Sequence, residues 1–191
     1  MNFCEVVTSH LPGGLAQVNV LLSTIMGGLS GSNIADAAMQ SKMLVPEMEK
    51  KGFSKEFSSV VTATSSMITP LIPPGIAMIL YGCIANVSIG KLFISGFGVG
   101  GLLCVSMMIL VGIISKKRGY GKISDEKITA KRVWEVLKPA FLPLLLPIII
   151  IGGIRVGIFT ASEAGAVAIV YAIFLGVLFR SMKISDMLKG L

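Results

Sequence analysis

The sequence predicts an all-α membrane protein in which transmembrane helices are combined with a re-entrant hairpin and a broken helix. Three observations carry this. Of 191 residues, 53% are hydrophobic and only 14% are charged, against about 25% charged in an ordinary soluble domain. Apolar runs near the length needed to cross a bilayer, about 20 residues, recur along the chain. Two further apolar segments are too short or too interrupted to cross alone, and small polar residues or prolines mark the interruptions.

The basic excess, 17 Lys and Arg against 10 Asp and Glu, falls in short clusters between apolar runs. That is how membrane flanks are charged. A basic surface interleaved with aromatics is lacking, so a nucleic-acid partner is not expected. Cys4, Cys83 and Cys104 match no metal spacing, and the last two sit in apolar runs, where cysteine behaves as a small hydrophobe. His10 is the single histidine, which leaves no His-based metal site within one chain. The opening stretch "MNFCEVVTSH" has neither a basic region nor an apolar core, so it does not read as a secretory signal.

In chain order, residues 1–13 form a lead-in and 14–50 a helical hairpin. The first apolar arm, 15–29, would be about 22 Å long as a helix, too short for a hydrocarbon core of about 30 Å. It ends in "GGLSGSN", so it reads as one arm of a re-entrant hairpin with its tip at Ser30 to Asn33 and a return arm over 34–50. Residues 54–90 form a broken transmembrane helix. Its apolar stretch, 57–86, is long but interrupted by "TPLIPPG" over 69–75. Proline donates no N–H and restricts the residue before it, so two half-helices should meet at Pro73-Pro74-Gly75 with carbonyls left free. Residues 91–115 and 139–180 supply the remaining spans, with apolar runs at 92–115, 140–154 and 158–179. The middle run is shorter and is marked by Pro143 and Pro147. Between them, 116–138 reads as a cytoplasmic linker, amphipathic through Ile128, Arg132, Trp134 and Leu137, with Trp134 at headgroup level; a solvated linker is the plainer alternative. Residues 181–191 begin a similar surface segment.

The charges test this topology. If the hairpin enters and leaves on one side, the loops at 47–56, 116–138 and 180–191 share that side and hold fourteen Lys and Arg, while Lys91 and Arg155 stand alone on the other. Fourteen against two marks the crowded side as cytoplasmic.

Broken backbone inside a bilayer is tolerated only where protein buries it or it lines a cavity. Two such elements meeting near the midplane point to a transport site. Free carbonyls, with the hydroxyls of Ser30, Ser32, Thr64, Ser65, Ser66 and Thr69, would suit a hard cation such as sodium. Asp36 has two readings: a carboxylate in the first turn of the return arm stabilises the helix dipole, or an intramembrane acid contacts ion or substrate. Glu163 has a simpler role, since Thr160 and Glu163 fit a capping box at the start of the last helix. Arg155 reads as an interface anchor, and Gly96, Gly98, Gly100 and Gly101 as helix packing.

The run "SGSNIADAAMQSKMLVPEMEKKGFSKEFSSVVTATSSMITPLIPPGIAMILYG", followed later by "IIIGGIRVGIFTASEAGAVAIVYA", resembles the large membrane subunit of tripartite ATP-independent periplasmic (TRAP) transporters. The blocks occur in the family's order and cover nearly the whole chain. The resemblance implies a multi-pass permease of the bacterial inner membrane: a sodium-coupled, elevator-type importer of organic acids, commonly sialic or C4-dicarboxylic acids. It implies three kinds of partner, namely a periplasmic substrate-binding protein, a small membrane subunit and the lipid bilayer. No cofactor is expected beyond Na+ as coupling ion. Carried onto this sequence, the sodium and substrate site comprises Ser30, Gly31, Ser32 and Asn33 at the tip, with Asp36, facing Ser65, Ser66, Thr69, Pro70, Pro73 and Pro74. Two departures stand out. Gly75 occupies a position where the family usually has serine, removing a hydroxyl. The family's second, inverted half, with its own hairpin and proline break, does not occur in these residues. The expectation is therefore an incomplete transport unit.

Two rival functions compete with this reading. "GLSG" over 28–31 matches the G-x-S-G pattern of rhomboid-like intramembrane proteases, but a serine nucleophile needs a base in reach. His10 lies twenty residues before Ser30, at the membrane edge, so an enzyme is not expected. A passive or non-transporting membrane subunit is the other.

Overall fold

The structure, a computed structural model, describes residues 2–8, 10–121, 141–142, 145–146, 148–154 and 156–178. Among these every regular element is a helix: α1 (Asn2–Thr8), α2 (Gly14–Ser30), α3 (Asn33–Lys50), α4 (Lys55–Ser65), a 3-10 turn (Thr69–Leu71), α5 (Ile76–Ile84), α6 (Ile89–Arg118), a helical stretch over 148–154, and α7 (Ala161–Leu178). The expected amphipathic segment with Ile128, Arg132, Trp134 and Leu137 lies outside the described residues, as do Pro143, Pro147, Arg155 and 179–191.

Local chemistry sets the boundaries. Ser32, Ser54 and Ser88 each cap the next helix, accepting from the N–H groups of Ala35, Phe57 and Lys91. Thr160 and Glu163 form the expected reciprocal box: the Thr160 N–H donates to Glu163 Oε2 at 2.7 Å, and the Glu163 N–H to Thr160 Oγ1 at 3.3 Å. α6 ends on Gly119 at φ 72°, with Lys116, Lys117 and Arg118 in its last turn complementing the dipole.

α2 and α3 run antiparallel, and α4 lies parallel to α2. The pairing is fixed by hydrogen bonds from Asn19 to Thr62 and from Gln40 to Ser23. Val20, Met48, Phe57, Val61, Ile68 and Val111 pack between them as the main core. α6 crosses this core with Phe93, Gly96, Gly100, Cys104, Val111 and Ser115 inward, while Phe97, Leu102, Val105, Ile109 and Ile113 remain exposed. An apolar outer face of this kind suits lipid.

α6, at 30 residues, is the one described helix long and apolar enough to cross a membrane; α4 with the 3-10 turn and α5 form a second candidate, bent by 45°. Against α6 the hairpin can be measured. Gly13 lies against Ser115 and Val111, and the Gln17 amide donates to the Met108 carbonyl at 2.9 Å. Thr69 and Ile72, which contact Gly27 near the tip, lie in the segment that reaches Gly96 and Gly100 through Leu71 and Ile72. The hairpin thus rises alongside α6 from its C-terminal end and stops near Gly96, with Ile89–Ser95 still beyond. α5 covers that upper part: Gly82 sits against Ile89 and Leu92.

At the lower end, the loop between α3 and α4 meets the end of α6. The Ser54 N–H donates to Tyr120 Oη at 3.1 Å. The Tyr120 ring lies 4.5 Å from Phe53 and 5.3 Å from Phe57, and the Arg118 guanidinium 5.6 Å from the Phe57 ring. The hydrogen bond to Ser54, with Arg118 nearby, draws the Tyr120 hydroxyl below the ordinary tyrosine range. Tyr120→Phe keeps the stack and loses one hydrogen bond. It should lower stability by no more than about 1 kcal/mol, measured by denaturant unfolding, and should remove from an alkaline absorbance titration a tyrosine signal that lies below the ordinary tyrosine range.

Candidate functional site: the hairpin tip against the helix break

The tip is built on one glycine. Gly31 ends α2 at φ 59°, its N–H returning to the Gly27 carbonyl. A Cβ at Gly31 would stand 2.5 Å from the Pro74 carbonyl oxygen and 3.2 Å from Gly75 Cα. The tip therefore touches the backbone of the break directly, and glycine is the residue that permits both the left-handed turn and the approach. One turn earlier, a Cβ at Gly27 would meet Ile72 at 2.6 Å and the Thr69 carbonyl at 2.9 Å. The hairpin lies flat against the break over that distance.

The break runs from Ser66 to Gly75. Among the described residues, the carbonyls of Pro70, Leu71, Pro73 and Pro74 accept no hydrogen bond. The prolines cause this locally, by removing donors and blocking helix continuation. The N-terminus of α3 opens at Asn33 on the same tip, so free carbonyls and a positive helix end stand together. Asn33 is partly buried, and its amide has no partner among the described residues.

The hydroxyls divide. Ser30 donates to the Met26 carbonyl at 3.2 Å, Ser66 to Ala63 at 2.9 Å, and Thr64 to Val60 at 2.7 Å. Each bonds back into its own helix, a common arrangement for Ser and Thr. Ser32 caps α3. Ser65 and Thr69 instead enter a buried polar chain that no local sequence pattern announces. Asn19 Nδ2 donates to Thr62 Oγ1 at 2.7 Å, and Asn19 Oδ1 accepts from Ser65 Oγ at 2.7 Å. Ser23 Oγ donates to Ser65 Oγ at 3.1 Å and accepts from Gln40 Nε2 at 2.6 Å. Gln40 Nε2 also donates to Asp36 Oδ1 at 2.8 Å. The Thr69 hydroxyl lies 2.9 Å from Asp36 Oδ2 and 3.2 Å from the Ser23 carbonyl.

Asp36 is 1% exposed, and its described partners, Gln40 and Thr69, are neutral. Its side chain thus reaches across to the break and down its own helix to Gln40. The available sequence signals for the missed residues were spacings: Asn19 and Ser23, and Asp36 and Gln40, are each four apart within apolar or small-residue helices. Among the described residues no three of His, Cys, Asp and Glu converge. A transition-metal centre is not formed there, whereas carbonyl and hydroxyl oxygens suit a hard cation.

The whole chain, residues 1–191, matches the family model described as tripartite ATP-independent periplasmic transporter, DctM component. The chain belongs to this family. Its relatives include the sialic acid TRAP transporter large permease protein SiaM of Vibrio cholerae, 41% identical over 92% of this chain and 40% of that protein. The 2,3-diketo-L-gulonate large permease protein YiaN of Escherichia coli is 37% identical over 92% of this chain and 41% of its own length. The ectoine large permease protein TeaC of Halomonas elongata is 40% identical over 97% of this chain and 43% of its own. The chain therefore spans about two fifths of the length of these relatives. They are named as permeases, not enzymes, and the resemblance to a protease motif at 28–31 falls away. The substrates in their names differ, so the organic-acid class drawn from the sequence is narrower than the family.

Proposed function

We propose that this chain forms the first hairpin half of a sodium-coupled secondary importer that moves its substrate by an elevator-type displacement. In this reading α2 and α3 are a re-entrant hairpin whose tip stops inside the bilayer, and α4 and α5 are one broken span. The protein is multi-pass in the bacterial inner membrane, its Lys50 and Lys116 end cytoplasmic. A periplasmic binding protein delivers the substrate, and a small membrane subunit serves as scaffold. The substrate is a small organic acid, sialic acid being named for the Vibrio cholerae relative.

The observation that carries the reading is the contact of Gly31 with the Pro74 carbonyl, which brings two backbone interruptions into one place. Sodium would lie between Ser30, Gly31, Ser32 and Asn33 and the break of Thr69, Pro70, Pro73 and Pro74, with Ser65, Ser66 and Asp36 behind it. Maleimide labelling of Ser30→Cys in native membranes tests this. Labelling should slow at least several-fold in NaCl relative to choline chloride. Equal rates in both salts would leave a passive membrane subunit as the better account.

A further inference from the structure

We infer that Gln40 is a positioning residue for the tip-and-break site: its amide fixes the Asp36 carboxylate, which holds Thr69 and so sets the carbonyl-lined break against the hairpin tip. This rests on the sodium reading above and adds to it a residue whose hydrogen bonds reach neither tip nor break directly.

Gln40 and Thr69 are fully buried and Asp36 is 1% exposed. Gln40 Nε2 sits between two acceptors, 2.8 Å from Asp36 Oδ1 and 2.6 Å from Ser23 Oγ. The opposite amide orientation would turn Oε1 onto the carboxylate, so the network determines which atom faces Asp36. The other carboxylate oxygen receives the Thr69 hydroxyl at 2.9 Å. Thr69 opens the 3-10 turn directly before Pro70, so a shift of Thr69 carries the free carbonyls of the break with it.

Within this polar chain, what singles out Gln40 is its other atom. Among the described residues Gln40 Oε1 is buried without a partner, an arrangement that disfavours folding. Methionine would fill similar space without that orphaned acceptor. The gain from the amide therefore lies in what Nε2 holds. By anchoring Asp36 to α2 through Ser23 as well as to α3, it prevents the carboxylate from following its other rotamers and releasing Thr69. Outer partners that orient cation-site residues typically change affinity 10–100-fold when removed.

Thermal unfolding of the complete transporter, purified with its partner subunits, is followed while NaCl replaces choline chloride at constant ionic strength. A cation bound by the folded state raises the unfolding temperature with its concentration, so the curve reports apparent sodium affinity separately from stability without sodium. Gln40→Met should move the half-maximal sodium concentration up about tenfold. In a Thr69→Val background the same change should add less than twofold, because its route to the site is already cut. Gln40→Asn, too short to bridge Ser23 and Asp36, serves the same comparison where Gln40→Met does not fold. A lowered unfolding temperature in choline chloride with an unmoved sodium midpoint would mean a purely structural role and would overturn the inference. So would a full tenfold effect in the Thr69→Val background. A parent protein indifferent to sodium overturns the sodium reading together with this one; a responsive parent with an unaltered Gln40→Met variant overturns this one alone.

Discussion

Gly31→Ala should disable the site and destabilise the protein by about 2–4 kcal/mol, although it adds one methyl group. Two terms combine. A non-glycine residue at φ 59° costs about 1 kcal/mol, since a Cβ crowds the backbone in the left-handed region. The new Cβ would also stand 2.5 Å from the Pro74 carbonyl oxygen, and overpacking of this kind costs about 1–3 kcal/mol. The neighbour is backbone, and proline backbone at that, so it cannot swing aside as a flexible side chain would. Gly52→Ala separates the two terms. Gly52 has φ 87° with open space where its Cβ would lie, so it carries the conformational term alone, about 1 kcal/mol. Denaturant unfolding of both variants is the measurement. Equal losses would mean that the tip does not press on the break. A larger loss at Gly31, accompanied by loss of sodium protection at Ser30→Cys, would locate the cation response at this contact.

The parts of the site that sequence made legible are those written in breaking residues. "SGSN" and "PPG" announce themselves because glycine and proline alter the backbone wherever they stand, independent of what surrounds them. The span at α6 and the cap at Thr160 are legible for a similar reason, being set by composition and by local spacing. The polar chain from Asn19 to Thr69 is different. Asn19, Ser23 and Gln40 become partners only after α2, α3 and α4 adopt one particular register. Helical spacing puts Asn19 and Ser23 on one face, but nothing local says that Thr62 and Ser65 will turn toward it. The hydroxyls expected around the site have a local use for their protons, which leaves their oxygen lone pairs for a cation. Ser30, Thr64 and Ser66 lie near the site in sequence, yet each donates to a carbonyl of its own helix, a competitor always within reach.

Asp36→Ala and Asp36→Asn should differ in stability by about 2–4 kcal/mol, with Asn the more stable. The parent comparison is awkward, because removing a buried carboxylate also removes its desolvation cost, which offsets part of any loss. Comparing two neutral variants removes that term. Asn fills the same space, and its Oδ1 accepts from Gln40 Nε2 as Asp36 Oδ1 does at 2.8 Å. Its Nδ2 can donate to Thr69 Oγ1, whose own proton then turns to the Ser23 carbonyl 3.2 Å away. Every described polar contact around Asp36 survives, and only the one with Thr69 reverses direction. Ala leaves one Gln40 N–H buried without an acceptor, at about 1–3 kcal/mol, and opens a cavity where the carboxylate stood. Thr69 keeps its bond to Ser23 but loses its tie to α3, so the break can part from the hairpin. Denaturant unfolding gives the stability difference, and sodium-dependent protection of Ser30→Cys gives the consequence at the tip. A difference below about 1 kcal/mol would mean that these hydrogen bonds do not hold hairpin to break. If Asn matches the parent in stability but loses the sodium response, the carboxylate itself is a ligand; if Asn keeps the response and Ala loses it, Asp36 acts through Thr69.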